Sequence, residues 1–230
     1  MIVPAAAVGL GVLGGAIHGA FYRNSRLFGA TLGKLSARTR CVSLTFDDGP
    51  NPEATPLVLD ALSRFGVKAT FFILGAHAER WPELVMRAAN EGHQIGNHGY
   101  FHRKLHFKSP SYVNRDIALG RKAIERACGE TPRVFRAPHG FRSPWVTSIA
   151  RAHGERTIGW SLGVWDSDRP GADAIVERTL AGAHPGSIIL LHDGDGYNAN
   201  GDRLQTAEAL PEIIAGLRDR GLGFTTLPVT

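Results

Sequence analysis

Short apolar, β-branched runs alternate along this 230-residue chain with longer stretches of helical periodicity, and that alternation leaves few architectures open. Strand-like runs fall at Cys41–Phe46, Lys68–Leu74, Gln94–Gly96, Val134–Phe135, Arg156–Trp160, Ser187–Leu191 and Gly223–Leu227. Between them lie helical patterns over about Glu53–Phe65, Trp81–Glu91, Ser111–Cys128, Pro144–Ala152, Ala172–Ala183 and Thr206–Arg220. Parallel neighbours need a crossover of a dozen or more residues, and a helix is the usual one. The order therefore predicts an α/β fold with a parallel sheet, and seven strands favour its closure into a barrel.

The chemistry-bearing residues sort onto one end of that sheet. Asp47 and Asp48 close the first strand, before Gly49 and Pro50 turn the chain. A lone Asp there would be an ordinary helix cap. Two adjacent carboxylates beyond an apolar strand repel each other unless a cation or base compensates, as in metal sites and acid/base dyads. His98 and His102 follow the third strand, four residues apart. On a helix that spacing would put both imidazoles on one face, suited to a single metal ion. No Glu follows His98, so the zinc-protease helix motif is absent. With Asp48 the two histidines complete a two-His, one-carboxylate set, which leaves positions open for water and substrate on Zn²⁺, Fe²⁺ or Co²⁺. Arg136 and His139 follow Val134–Phe135, Asp166 follows the Arg156–Trp160 run, and His192 ends Ser187–Leu191. Every candidate lies just past the C-terminal end of a strand, where parallel α/β enzymes gather their active sites. No phosphate loop, dinucleotide fingerprint or nucleophile elbow is present, so an activated water is the remaining nucleophile.

The strings Thr-Phe-Asp-Asp-Gly-Pro at 45–50, Lys-Ala-Thr-Phe-Phe at 68–72 and Gly-His-Gln-Ile-Gly-Asn-His at 92–98 carry a resemblance. From about Cys41 to Leu227 the chain resembles the polysaccharide deacetylases, carbohydrate esterase family 4, whose NodB-type domain is a distorted (β/α) barrel. The resemblance implies removal of N-acetyl groups from acetamido sugars with one divalent metal ion, zinc first, with cobalt, iron or nickel as alternatives. It implies Asp48, His98 and His102 as metal ligands, Asp47 as general base with Arg136 orienting it, and His192 as general acid paired with Asp166. Leu190 would line the acetyl pocket, and a backbone N–H near His139 would assist the oxyanion. His93 is read as structural. Three positions depart from the family pattern. Gly99 stands where Ser or Thr is usual, His139 where an aromatic is usual, and Gly163, Asp166 and Ser167 where Asp-x-x-Asp-Trp is usual. Trp165 is then the candidate indole for the pocket wall, and the substrate is the property that these changes would alter. An O-acetyl esterase, an N-deformylase on a lipid-linked sugar and a non-catalytic glycan-binding module are the competing readings.

Charge and hydropathy bound the partners. Lys and Arg number 26 against 21 acids, a surplus of +5 with no basic stripe between aromatic platforms, so nucleic acid is excluded. Cys41 and Cys128 stand too far apart in sequence to suggest a ligand pair and read as free thiols. From Ile2 to Tyr22 there is no charged side chain, a length near the ~20 residues that cross a bilayer core. Residues 1–22 are accordingly expected to form a hydrophobic membrane helix, 23–40 a basic linker, and 41–230 the catalytic domain. Arg23, Arg26, Lys34, Arg38 and Arg40 follow the apolar run, and by the positive-inside rule they favour the cytoplasmic face. There the substrate would be a lipid-linked saccharide, as an alternative to an acetylated amino-sugar glycan.

Overall fold

Strand β1 (Cys41–Asp47) sorts its side chains by parity, as successive Cβ atoms must on a pleated strand. Val42, Leu44 and Phe46 enter the main hydrophobic core, while Thr45 and Asp47 point the other way and Asp47 ends in a cavity. Strand β7 (Ile188–His192) repeats the pattern. Ile189 and Leu191 join the same core, and Leu190 and His192 line the same cavity as Asp47. The two strands pair in parallel with Asp47 beside His192, so register alone brings the acid and the imidazole to one level.

The computed structural model describes residues 14–229. The remaining strands are β2 (Thr70–Ile73), β3 (Gln94–Asn97), β4 (Val134–Phe135), β5 (Arg156–Thr157), β6 (Leu162–Gly163) and β8 (Gly223–Phe224). All pair in parallel in the order β5-β4-β3-β2-β1-β7-β6, and β8 pairs with Cys41 and Val42 at the foot of β1. The result is a curled, incompletely closed barrel. Helical residues 14–21 (α1) precede it, and α2 (Ala54–Arg64), α3 (Gly75–Arg80), α4 (Pro82–Asn90), α5 (Pro110–Cys128), α6 (Val146–Ala152), α7 (Ala172–Gly182) and α8 (Leu204–Asp219) link the strands. Helix α5 starts where its sequence says it should. Ser109 caps it by accepting from Tyr112 N, Pro110 occupies the first turn, and Gly129 ends it with φ 75°.

Two elements differ from the sequence reading. The helix expected from Trp81 is preceded by a separate short one, α3. The strand expected over Arg156–Trp160 is β5 alone, with β6 as an eighth strand two residues beyond Trp160. Trp160 lies between them because its carbonyl accepts from Arg23 and Asn24 and so does not serve a strand ladder.

The expected membrane helix lies partly outside the described residues, at 1–13. Among the described residues no helix is long and apolar enough to cross a membrane. Residues 18–35 instead pack on the barrel. Ala20 O accepts from Arg142 N, Leu32 bridges Ile158 in parallel, and Leu35 N donates to Gly186 O at the foot of β7. Leu32 and Leu35 close over a second apolar cluster of Phe72, Val134, Ile158, Ile188 and Leu227.

Candidate active site

Asp48, His98 and His102 converge although no helix joins them. The sequence spacing suggested one helical face, but residues 98–102 form a turn after β3, with Gly99 at φ 80° and His102 at φ 50°. Asp116 explains Gly99: a Cβ there would lie 2.3 Å from Asp116 Oδ2, and Asp116 Oδ1 accepts from Phe101 N within the turn. Asp48 itself has φ 73°, and His77 Nδ1 holds its carbonyl at 2.8 Å. Backbone strain of this kind persists only where neighbours fix it.

The three residues are buried, and their candidate ligand atoms lie within 4.8 Å of one another. His98 Nδ1 donates to Arg136 O at 2.8 Å, which turns Nε2 into the cluster. Asp48 Oδ1 lies 3.3 Å from His98 Nε2 and 3.1 Å from His102 Nε2, yet this buried oxygen makes no aligned hydrogen bond. A divalent cation satisfies that donor set, and a hydrogen-bonded cluster does not. Burial opposes ionisation of Asp48, but His102 and His98 hold its carboxyl well below the usual range. Burial likewise disfavours the His98 imidazolium, but Asp47 and Asp48 raise its pKa.

On either side of this cluster stand two paired groups. Arg136, fully buried, donates from Nη1 to Asp47 Oδ1 at 2.7 Å and to Thr45 Oγ1 at 2.8 Å, and from Nη2 to Gly159 O. It lies 4.1 Å over the Phe72 ring, so its position is fixed by packing as well as charge. Opposite, Asp166 Oδ1 meets His192 Nδ1 at 2.9 Å, and Asp166 Oδ2 accepts from His192 N and from Thr206 Oγ1. Burial would lower the His192 pKa, but the charge and hydrogen bond of Asp166, with Asp48 and Asp47 behind, push it up to about 9.

Asp47, Asp48, His98, His102, Asp166 and His192 share one cavity of about 570 Å³, which Leu190, Gly163, Ser167, Trp165, His139 and Trp160 also line. Trp165 stands at its mouth, 68% exposed, so it supplies an open wall and not a closed pocket. His139, at φ 59°, packs its ring 4.7 Å from His102 and shares a hydrogen bond of 2.8 Å with Tyr197 OH. Burial, then the nearby His102, lowers its pKa to about 4, so it is neutral at neutral pH. Tyr197 also lines the cavity, a neighbour of the site that sequence reading missed. It reaches the site on a loop after β7, edge-on to His102 at 5.1 Å, and Gly196 beside it has no room for a Cβ, which would sit 2.0 Å from His102 Nδ1. Two glycines flanking an Asp (Gly194-Asp195-Gly196) were the available signal. Arg203 ties that loop by donating to Asp195 Oδ2 at 2.9 Å and to Gly194 O at 2.8 Å. His93 lies elsewhere, between β2 and β3, accepting from Ala69 N and packing on Phe71.

A curled parallel sheet with a cation-binding triad and flanking acid and base pairs at its C-terminal mouth defines a metal-assisted hydrolase. The chain belongs to the polysaccharide deacetylase family, whose model matches residues 34–158. It is 44% identical over 193 residues to a chitooligosaccharide deacetylase of Sinorhizobium fredii, covering 81% of this chain and 90% of that one. It is 38% identical over 187 residues to a peptidoglycan-N-acetylglucosamine deacetylase of Bacillus cereus, covering 81% and 66%. Among solved structures, a peptidoglycan N-acetylglucosamine deacetylase bound to an N-hydroxybenzamide superposes with TM-score 0.81 at 36% identity over 86% of this chain and 91% of that one.

Proposed function

We propose that this chain hydrolyses the N-acetyl group of acetamido sugars in a glycan or a saccharide carried on a lipid. The observation that carries the reading is that one cavity gathers a cation site, a carboxylate oriented by Arg136 and an imidazole held protonated by Asp166. When bound, a divalent ion, zinc first, polarises an acyl carbonyl and acidifies a water. Asp47 takes the proton of the attacking water. Its Oδ1 is held by Arg136, which leaves Oδ2, 3.7 Å from His98 Nε2, directed at the cation site. His192 stands in the protonated form and delivers its proton to the leaving amine, while Asp166 keeps the ring oriented and charged. Leu190 and Trp165 bound the acyl side.

One observation favours a broader acyl range, including formyl groups. Ser167 lines the cavity and Trp165 leaves its mouth open, and an open apolar pocket separates acyl groups by only ~1–3 kcal/mol per methylene. A glycan-binding module without activity would have no use for the paired base and acid. Residues 18–35 pack on the barrel, so membrane association, as proposed here, falls to the uncharged segment ahead of them, and the basic residues that follow the run Ile2–Tyr22 favour the cytoplasmic face. A C-terminal alkaline phosphatase fusion that is active in intact cells would contradict that side. The deacetylase reading is tested by acetate release from chitooligosaccharides and from peptidoglycan. Release from at least one is expected, and release from neither, by protein carrying one divalent ion, would overturn it.

A further inference from the structure

The active-site cavity holds four carboxylates, and each has its counter-group. Asp47 pairs with Arg136, Asp48 with the two histidines, Asp166 with His192 and Asp195 with Arg203. Two arginines line the cavity, and they differ. Arg203 is buried and engaged, donating to Gly194 O, Ser167 O and Asp195. Arg23 is half-buried and makes no ion pair among the described residues. Its Nε donates to Trp160 O at 3.1 Å, its guanidinium lies 5.0 Å over the Trp160 ring, and its terminal nitrogens donate to no group among the described residues.

The side chain is nevertheless held. Asn24 donates to the same Trp160 carbonyl at 2.8 Å, and Gly140 packs so close that a Cβ there would lie 2.9 Å from Arg23 Cβ. A guanidinium pinned by its Nε and laid on an indole presents its remaining N–H groups as a rigid fork, the geometry that binds carboxylate or phosphate. Phe21, from the same stretch, lines the cavity and meets Phe141 at 5.1 Å, and Lys104 Nζ lies 5.9 Å from that ring. The rim on this side is thus apolar and positively charged, while the catalytic acids are neutralised within.

We propose that Arg23 is an anion subsite of the cavity, which selects substrates bearing a carboxylate or phosphate close to the acetamido sugar. The inference rests on the deacetylase reading for the reacting group and adds a charge requirement to it. Residues 21–24 are then a wall of the substrate site.

The test uses the full chain loaded with its metal, and the Arg23→Gln and Arg23→Lys variants. Four substrates are compared: neutral chitotetraose, a peptidoglycan-derived oligosaccharide with free lactyl carboxylates, its methyl ester, and an acetamido sugar phosphate. The wild type should prefer the acid over its ester by about tenfold in kcat/KM, the scale of one charge-assisted hydrogen bond. Arg23→Gln should bring that ratio near one, and Arg23→Lys should restore part of it. The sugar phosphate, compared with chitotetraose, shows which anion the site prefers. A wild-type ratio of one for both anions, or a ratio that Arg23→Gln leaves in place, overturns the proposal. If the wild type deacetylates nothing, the deacetylase reading fails, and calorimetry still decides Arg23. N-acetylmuramic acid must then bind more tightly than N-acetylglucosamine to the wild type and equally to Arg23→Gln. Equal binding of the two sugars to the wild type overturns the subsite.

Discussion

On the proposed mechanism each side chain stands where its role requires, and single substitutions separate the roles. Asp47→Asn removes the proposed base and leaves the candidate ligand set of Asp48, His98 and His102 intact. Metal content should stay at one ion, while kcat falls about 10²–10⁴-fold, the usual weight of a positioned base; equal loss of metal and turnover would make Asp47 a ligand. Asp166→Asn tests the acid. His192 must be protonated to donate, and that form is lost as pH rises through its pKa, which Asp166 holds up to about 9. Neutralising Asp166 lowers the His192 pKa, so the basic limb of kcat should move to lower pH, with a smaller loss at its optimum than in His192→Ala. A basic limb that does not move contradicts the pairing. That these side chains gather in one cavity was legible in the sequence, because acids and histidines past strand ends announce themselves. Tyr197 was not, because its partner His139 is 58 positions away and a tyrosine on a loop carries no signal of what it faces.

At the scale of elements, α3 has a task that periodicity did not reveal. It is six residues long, too short to show an amphipathic pattern, and the helical pattern read from the sequence begins only at Trp81. It carries His77, which is buried and holds the Asp48 carbonyl. His77→Ala should release the strained Asp48 backbone and weaken metal binding about tenfold, the lower end for residues that orient a ligand. His77→Gln, which can still donate, should recover part of that affinity, whereas metal binding as tight in His77→Ala as in the wild type would contradict the role. Strands β1 and β7 were readable almost to the residue because β1 alternates apolar with polar residues over its length and β7 is an unbroken apolar run between Ser187 and His192. Strands β5 and β6 were not, since two residues each give no period, and Trp160 between them carries the hydrophobicity of a strand without its ladder.

The whole molecule includes more than the barrel motifs delimit. Basic composition suggested a spacer over 23–40, but Leu32 and Leu35 cover Ile158, Ile188 and Leu227, and Leu32 closes onto Ile158 beyond the β5 edge. Five charges in that stretch hid two apolar anchors, and the sequence gives no sign of which edge they cover. A chain trimmed to begin at Cys41 should therefore unfold at a lower temperature, by several kcal/mol of lost burial at ~25 cal/mol per Å². Thermal unfolding of the two lengths checks this, and identical midpoints would show that the stretch adds nothing.

On the proposed mechanism, hydrolysis by the whole molecule depends on one cation held by Asp48, His98 and His102. The direct measurement strips the protein with chelator and then titrates zinc, following bound metal and acetate release from an acetamido oligosaccharide together. The stripped protein should be inactive, and activity should rise linearly and level off at one ion per chain, with His102→Ala showing neither tight binding nor recovery. Full acetate release by the stripped protein, or by His102→Ala, would contradict it.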